Sequence, residues 1–279
     1  MDAFSIWGAH WLGDASLWGV LSNEMATRWE RGGAVLSAEQ PSLAALAGLF
    51  ASQPPPPAMA LFYGLDQEEP VPFQPGAPWP SRALLDCSAP CLAALRYGLA
   101  GPYIWTAPGV VGGLALIAWA VGSLSPALRR VACVAGEMQS GPPPAVAVLG
   151  LSREPKADLE SLGPLELELY DGPPDSGTQT DFLEALARRA QGHAGASSAA
   201  VVLNQPPEVK WQASLDAAAR RAAPKARRYM LPVDGAGQAG GLMLILAALR
   251  LETPRPQSPR LVLAADQAGR AAALMVVPV

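Results

Sequence analysis

Few side chains in this sequence are equipped for covalent chemistry. The cysteines are Cys87, Cys91 and Cys133, and the histidines are His10 and His193. Cys87 and Cys91 are four positions apart, so on a helix they share a face. Two thiols there would bind a metal or form a redox pair. The sequence has no second Cys/His pair to complete a tetrahedral site, so the expectation is two free core thiols and no metal. Cys133 lies inside the apolar run VACVAGEM and reads as core. His193, between Gly192 and Ala194, reads as an exposed loop residue after a helix. Gly235, Gly237, Gly240 and Gly241 match neither phosphate-binding glycine spacing; they read as small residues that let helices approach. Asp234 reads as a cap for the helix that follows it.

These residues sit in an apolar, mildly acidic chain. Of its 279 residues, 50% are hydrophobic and only 16% are charged, with a net charge of −4. That charge argues against a nucleic-acid partner, which calls for a basic stripe. The cations Arg220, Arg221, Lys225, Arg227 and Arg228 do form a local run; it reads as a solvated helix face or as a docking surface for an acidic partner. No basic segment followed by an apolar run opens the sequence, and the odd, low cysteine count fits a reducing cytoplasm. The most apolar stretch, residues 107–124, is 18 long and interrupted by Gly, Ser and Pro. A membrane span needs ~20 apolar residues, so this stretch is expected to be a helix buried in protein.

The elements that position these residues repeat. GGLALIAWAV at 112–121 is answered by GGLMLILAAL at 240–249, and VACVAGEM at 131–138 by LVLAADQA at 261–268. AVAVLGL at 145–151 is answered by AALMVVPV at 272–279. Gly112 to Gly240 is 128 positions and Glu137 to Asp266 is 129. In the first half the patterns predict strands over 4–11, 58–64, 101–107, 129–136 and 144–151, and helices over 17–30, 42–50, 82–99 and 109–124. The second half predicts strands over 165–172, 199–205, 227–233, 260–266 and 271–277. Its helices fall over 181–191, capped by Thr180 or Asp181, and over 210–223 and 237–251. Alternating strands and helices predict a mostly parallel sheet in each half, with the last two strands antiparallel across a short turn. The two helices without a polar face belong between the sheets.

This pattern resembles the thiolase fold: an α/β architecture of two similar halves stacked in five layers, helix–sheet–helix–sheet–helix. Within that superfamily the chain resembles a beta-ketoacyl synthase. The similarity is carried by GPYIWTAPGVVGGLALIAWAVGSLSPALRRVACVAGEM at 101–138, DGAGQAGGLMLILAALRL at 234–251 and the closing LVLAADQAGRAAALMVVPV. It runs through most of residues 58–279. The resemblance implies one half over 1–152, a linker over about 152–162 and a second half over 163–279. It also implies a Cys nucleophile at the start of the first buried helix and two histidines. The matching positions are Val110, nine residues after Gly101, then Pro206 and Asp234. None of these can attack a thioester or serve as the imidazole, so the chain is expected to be a degenerate ketosynthase with no cofactor.

The resemblance therefore implies a non-catalytic subunit similar to a chain-length factor. Such a subunit would pair with an active ketosynthase in a polyketide or fatty-acid-type pathway, aryl-polyene synthesis among them, and shape its acyl pocket. Family dimers form through the strand before the nucleophile helix, which here carries Tyr103, Ile104 and Trp105. The basic run would meet an acyl carrier protein. Two alternatives stay open. One is an acyltransferase or thioesterase with relocated chemistry at Cys87, Ser88 or Cys91. The other is a self-pairing scaffold.

Overall fold

The computed structural model describes residues 4–12, 41–50, 55, 59–65, 94–107, 109–136, 146–153, 161–162, 166–172, 176–195 and 197–277, except 108 and 251–257. In the first half β1 (Phe4–Leu12), α1 (Pro41–Leu49), β2 (Met59–Leu65) and β3 (Ala100–Thr106) lead to α2 (Gly109–Gly122), followed by β4 (Arg130–Gly136) and β5 (Val146–Ser152). The second half holds β6 (Ser161–Leu162), β7 (Glu166–Leu169), α3 (Ser176–Ala194), β8 (Ala200–Asn204), α4 (Val209–Ala222), β9 (Arg227–Leu231), α5 (Gly237–Arg250), β10 (Arg260–Ala265) and β11 (Arg270–Val277). The helix expected over 17–30 lies outside the described residues, as does most of 82–99, of which a helical turn at 94–97 is seen.

The strands follow one hydrogen-bonded path, β3-β2-β4-β5-β1-β6-β11-β10-β8-β9, with β7 also on β11. Its two wings have the same order. Three parallel strands, β3-β2-β4 and β9-β8-β10, continue into antiparallel β5 and β11. The two-residue β6 pairs with both β1 and β11 and joins the wings. The sheet is therefore mixed, not mostly parallel, because β1, β6 and β7 all run antiparallel to their neighbours.

Strands β4, β5, β8, β10 and β11 are buried on both faces, which explains their unbroken apolar sequence. Val131, Cys133 and Ala135 of β4 face the central core, together with Val262 and Ala264 of β10. The alternating residues Ala132 and Val134 pack into an outer core under α1. Leu261, Leu263 and Ala265 pack into another beneath α3 and α4. The central layer is α2 and α5, in contact with strands of both wings. This is the five-layer thiolase-like arrangement. Burial all round is why neither central helix has a polar face.

The glycine pairs set the helix spacing. A Cβ on Gly113 would stand 2.0 Å from the Gln238 carbonyl oxygen, and one on Gly241 would stand 2.3 Å from that of Val110. Val110 and Gln238 are themselves 128 positions apart, as are Gly113 and Gly241, so each helix presents the same glycine to the same carbonyl of the other. A Cβ on Gly112 would stand 2.5 Å from the Ala107 carbonyl oxygen and one on Gly240 2.3 Å from that of Val233, just beyond the ends of β3 and β9. Gly235 has no such role, since nothing lies within 4 Å of its missing Cβ.

Two local expectations are corrected. Helix α3 begins at Ser176, so Thr180 and Asp181 lie inside it and cap nothing. It also extends to Ala194, which places His193 in its last turn, not in a loop.

Candidate functional site

Strand β8 ends in Asn204, which is fully buried. Its Nδ2 donates to the Ala265 carbonyl at 2.7 Å and to Asp234 Oδ1 at 2.9 Å, while its Oδ1 accepts from the Ala265 N–H at 3.0 Å. A carboxamide can do both at once because it is donor and acceptor. It ties the ends of β8 and β10 to the 3-10 turn Asp234–Ala236 that opens into α5. Asp234 therefore anchors that turn through Asn204, in place of the helix-capping role expected of it. Its second oxygen, Oδ2, is buried and has no hydrogen-bond partner among the described residues. Burial raises its pKa to about 6, opposed by the Asn204 hydrogen bond, and the nearby Asp266 adds to the rise.

Helix α2 packs against this turn from the other side. Its first residue, Gly109, takes φ +73°. Val110 is 1% exposed and lies against α5: its Cγ2 would be 3.0 Å from a Cβ on Gly240. Pro206 is buried two residues beyond Asn204. The groups gathered between the starts of the two central helices are thus Val110, Asn204, Val233, Asp234, Gly240 and Ala265. None carries a thiol, hydroxyl or imidazole. Among the described residues they can hold a polar group by hydrogen bonds but supply no thiol or hydroxyl nucleophile.

The hairpin between β10 and β11 adds an ion pair that the sequence reading missed. Asp266 Oδ1 accepts from the backbone N–H groups of Ala268 and Arg270 at 3.0 and 3.1 Å, and Oδ2 accepts from Arg270 Nε at 2.7 Å. Arg270 Nη2 also reaches Oδ2, at 2.5 Å, and would stand 4.0 Å from a Cβ on Gly109. The available signal was an Asp four residues before an Arg across a glycine turn, DQAGR. Beside Arg270 lies a cavity of about 330 Å³ between α2 and β7.

The remaining candidates are dispersed. His193 Nδ1 lies 2.7 Å from Glu166 Oε1, and Arg189 pairs with Glu166 and Glu168, so α3 holds β7 by its acidic face. Three members of the basic run are already paired: Arg220 with Asp216 at 2.6 Å, Arg221 with Asp181 at 2.7 Å, and Arg228 with Asp216 at 3.1 Å. Lys225 and Arg227 are exposed. Tyr103 is 45% exposed on β3, stacked on Phe62 at 5.0 Å with Trp119 edge-on to both. Ile104 and Trp105 continue β3 in register with Tyr63 and Gly64. His10 pairs through its backbone with Val148. Cys133 is buried in β4, and desolvation pushes its thiol pKa far up, away from reactivity. Cys87, Ser88 and Cys91 lie outside the described residues. Among the described residues no group of three His, Cys, Asp or Glu side chains is placed to hold a metal. No helix there is long and apolar enough to cross a membrane.

No protein-family model and no curated protein matches the sequence. Solved structures do match. The ishigamide ketosynthase/chain length factor aligns over 99% of both chains with a TM-score of 0.68 and 17% identity. The fold is that of the thiolase-like ketosynthases. A 3-oxoacyl-[acyl-carrier-protein] synthase III from Aquifex aeolicus VF5 aligns over 98% of this chain and 99% of its own, at TM-score 0.59 and 13% identity. The priming beta-ketosynthase from the R1128 polyketide biosynthetic pathway aligns over 99% and 96%, at TM-score 0.58 and 15% identity. Coverage is near complete on both sides, so the likeness extends over both halves of the chain. At such identities the likeness is one of fold.

Proposed function

We propose that this chain is a non-catalytic ketosynthase-like subunit. It pairs with an active beta-ketoacyl synthase in a polyketide or fatty-acid-type pathway and shapes the acyl pocket or product length. The observation that carries this reading is Val110. It occupies the start of the buried helix α2, where the family's nucleophile is expected, and is 1% exposed. At the 3-10 turn that α2 packs against, Asn204 and Asp234 hydrogen-bond each other at 2.9 Å. A part-buried amide–carboxyl pair stabilises the scaffold but leaves condensation without a thiol nucleophile or an imidazole base.

The partner-facing surface in this reading is β3. Among the described residues it ends the hydrogen-bonded path, and a strand at such an end can pair with a second sheet. Tyr103, backed by Phe62 and Trp119, supplies an aromatic anchor there. The likeness to a ketosynthase/chain length factor supports pairing of this kind. All five cations of the run are exposed; Lys225 and Arg227, held in no ion pair among the described residues, are the ones offered to an acyl carrier protein. The linker of about 152–162 starts at the end of β5 and includes β6 (Ser161–Leu162), which pairs with strands of both halves.

Co-expression with ketosynthases of the same genome tests the pairing. The expected result is a stable complex whose mass exceeds the 29.0 kDa of this chain by that of one synthase, and whose product length changes when Tyr103→Ala weakens it. A chain that purifies with no synthase and leaves product length unchanged would overturn the proposal. Carrier-protein condensation by the isolated chain would do the same.

A further inference from the structure

Strand β9 is the twin of β3: each lies at one end of the hydrogen-bonded path. The pairing proposal uses the β3 end and leaves the β9 end unassigned. Pairing with β8 fixes which backbone groups of β9 are spare. In a parallel pair every second residue gives both its N–H and its C=O to the neighbouring strand. The Arg227 N–H donates to the Ala199 carbonyl at 3.1 Å, and the Leu231 carbonyl accepts from the Gln205 N–H at 2.9 Å. Residues 227, 229 and 231 therefore bond towards β8, and Arg228 and Met230 turn their N–H and C=O groups outwards. Among the described residues no strand lies on that side.

The side chains make this edge amphipathic along its length. Arg228 and Met230 lie against α4, with Arg228 Nε on Asp216 Oδ1 at 3.1 Å and Gln212 Nε2 on the Met230 sulfur at 3.2 Å. Tyr229, on the other face, packs against the central core. Tyr229 and Met230 are only half-buried, so the far end of the edge is apolar. The near end is cationic. Asp216 is shared by Arg220 at 2.6 Å and Arg228 at 3.1 Å, while Lys225 and Arg227 are exposed and in no ion pair among the described residues. One carboxylate thus stands among four cations. Charge of one sign on an edge strand disfavours a like edge and admits an oppositely charged one.

We propose that β9 takes an extended acidic segment of a partner protein as an added strand. Antiparallel addition is the more stable pairing. It sets the acidic C-terminal end of that segment against Lys225 and Arg227, and its apolar side chains along Tyr229 and Met230. Main-chain bonds to Arg228 and Met230 supply affinity and the cations supply selectivity. This goes beyond pairing at β3, at the other end of the path, and either can fail alone. A carrier protein held by Lys225 and Arg227 through charge needs no backbone edge, which separates the two uses of those cations.

Fluorescence anisotropy of the full purified chain tests it, with a labelled peptide of alternating Val and Thr that ends in three Glu, and a second peptide that ends in three Lys. The expected result is saturable one-to-one binding of the Glu peptide, about tenfold or more tighter than the Lys peptide and weakened by salt. Lys225→Glu combined with Arg227→Glu should abolish that preference. Met230→Pro removes an outward N–H and places a ring on the edge while leaving the bonds to β8, a position where a strand tolerates proline. It should bind the Glu peptide about tenfold or more weakly than Met230→Ala, which keeps the N–H. Should Met230→Pro melt at a lower temperature than the native chain, the Glu peptide N-methylated throughout supplies the same test on the native chain, and it should not bind. Equal affinity for the two peptides would overturn the proposal. So would binding of the Glu peptide that survives both Met230→Pro and full N-methylation, since that marks docking by charge alone. A mass that doubles with concentration in the native chain but not in Met230→Pro would assign the edge to a second copy and overturn the acidic occupant.

Discussion

Asp234 makes the stability of this protein depend on pH in a direction opposite to that of an ordinary paired carboxylate. Its folded-state pKa is raised from 3.8 to about 6, so the folded protein holds a proton that the unfolded chain releases. Below pH 4 the side chain is protonated in both states and contributes no difference. As pH rises through 4 to 6 the unfolded chain ionises first and is favoured, and above about 6 the penalty is complete. A shift of this size is worth about 3 kcal/mol at most; because the side chain is partly exposed, screening reduces it to roughly 1–2 kcal/mol. Asp234→Asn keeps the acceptor for Asn204 Nδ2 and cannot ionise. The measurement is urea unfolding of both proteins at pH 4.0 and pH 7.5. The mutational change should be more favourable at pH 7.5 than at pH 4.0 by about 1–2 kcal/mol, whatever constant offset the new amide introduces. Parallel stability–pH curves would refute the reasoning, because Asp234 would then titrate alike in folded and unfolded chains.

Gly241→Ala places a methyl 2.3 Å from the Val110 carbonyl oxygen and should destabilise by about 1–3 kcal/mol despite alanine's helix propensity. Gly192→Ala, in α3 with nothing within 4 Å, should stabilise by about 0.5–1 kcal/mol; denaturant midpoints of the two variants should move in opposite directions. Asn204→Ala removes both partners of the Ala265 backbone and one of Asp234, so unfolding free energy should fall by about 2–4 kcal/mol. Cys133 should resist iodoacetamide in the native protein and alkylate only in denaturant, read by peptide mass mapping; rapid native labelling would contradict its burial in β4.

The sequence itself determined the layers and their repeat. Runs such as VACVAG and LVLAAD have no wet face, so each had to be covered on both sides, and helices without polar residues had to lie between them. The paired glycines at 112–113 and 240–241 announced a close helix crossing because they recur at one offset. The loss of thiol and imidazole was an expectation that rested on the ketosynthase resemblance, which singles out positions 110, 206 and 234, and on the Val, Pro and Asp that stand there. Tertiary structure decided what local pattern cannot encode. The direction of β1, β6 and β7 was set by which strand lay beside them, so the sheet became mixed. His193, in the last turn of α3, meets Glu166 of β7 at 2.7 Å, a contact that local pattern does not announce. The Asn204–Asp234 pair forms between residues 30 positions apart, brought together only when β8 and α5 meet. Arg270 likewise reaches the start of α2 from more than 150 positions away. Polar contacts at such separations depend on the packed geometry of the whole chain, whereas apolar periodicity is written residue by residue.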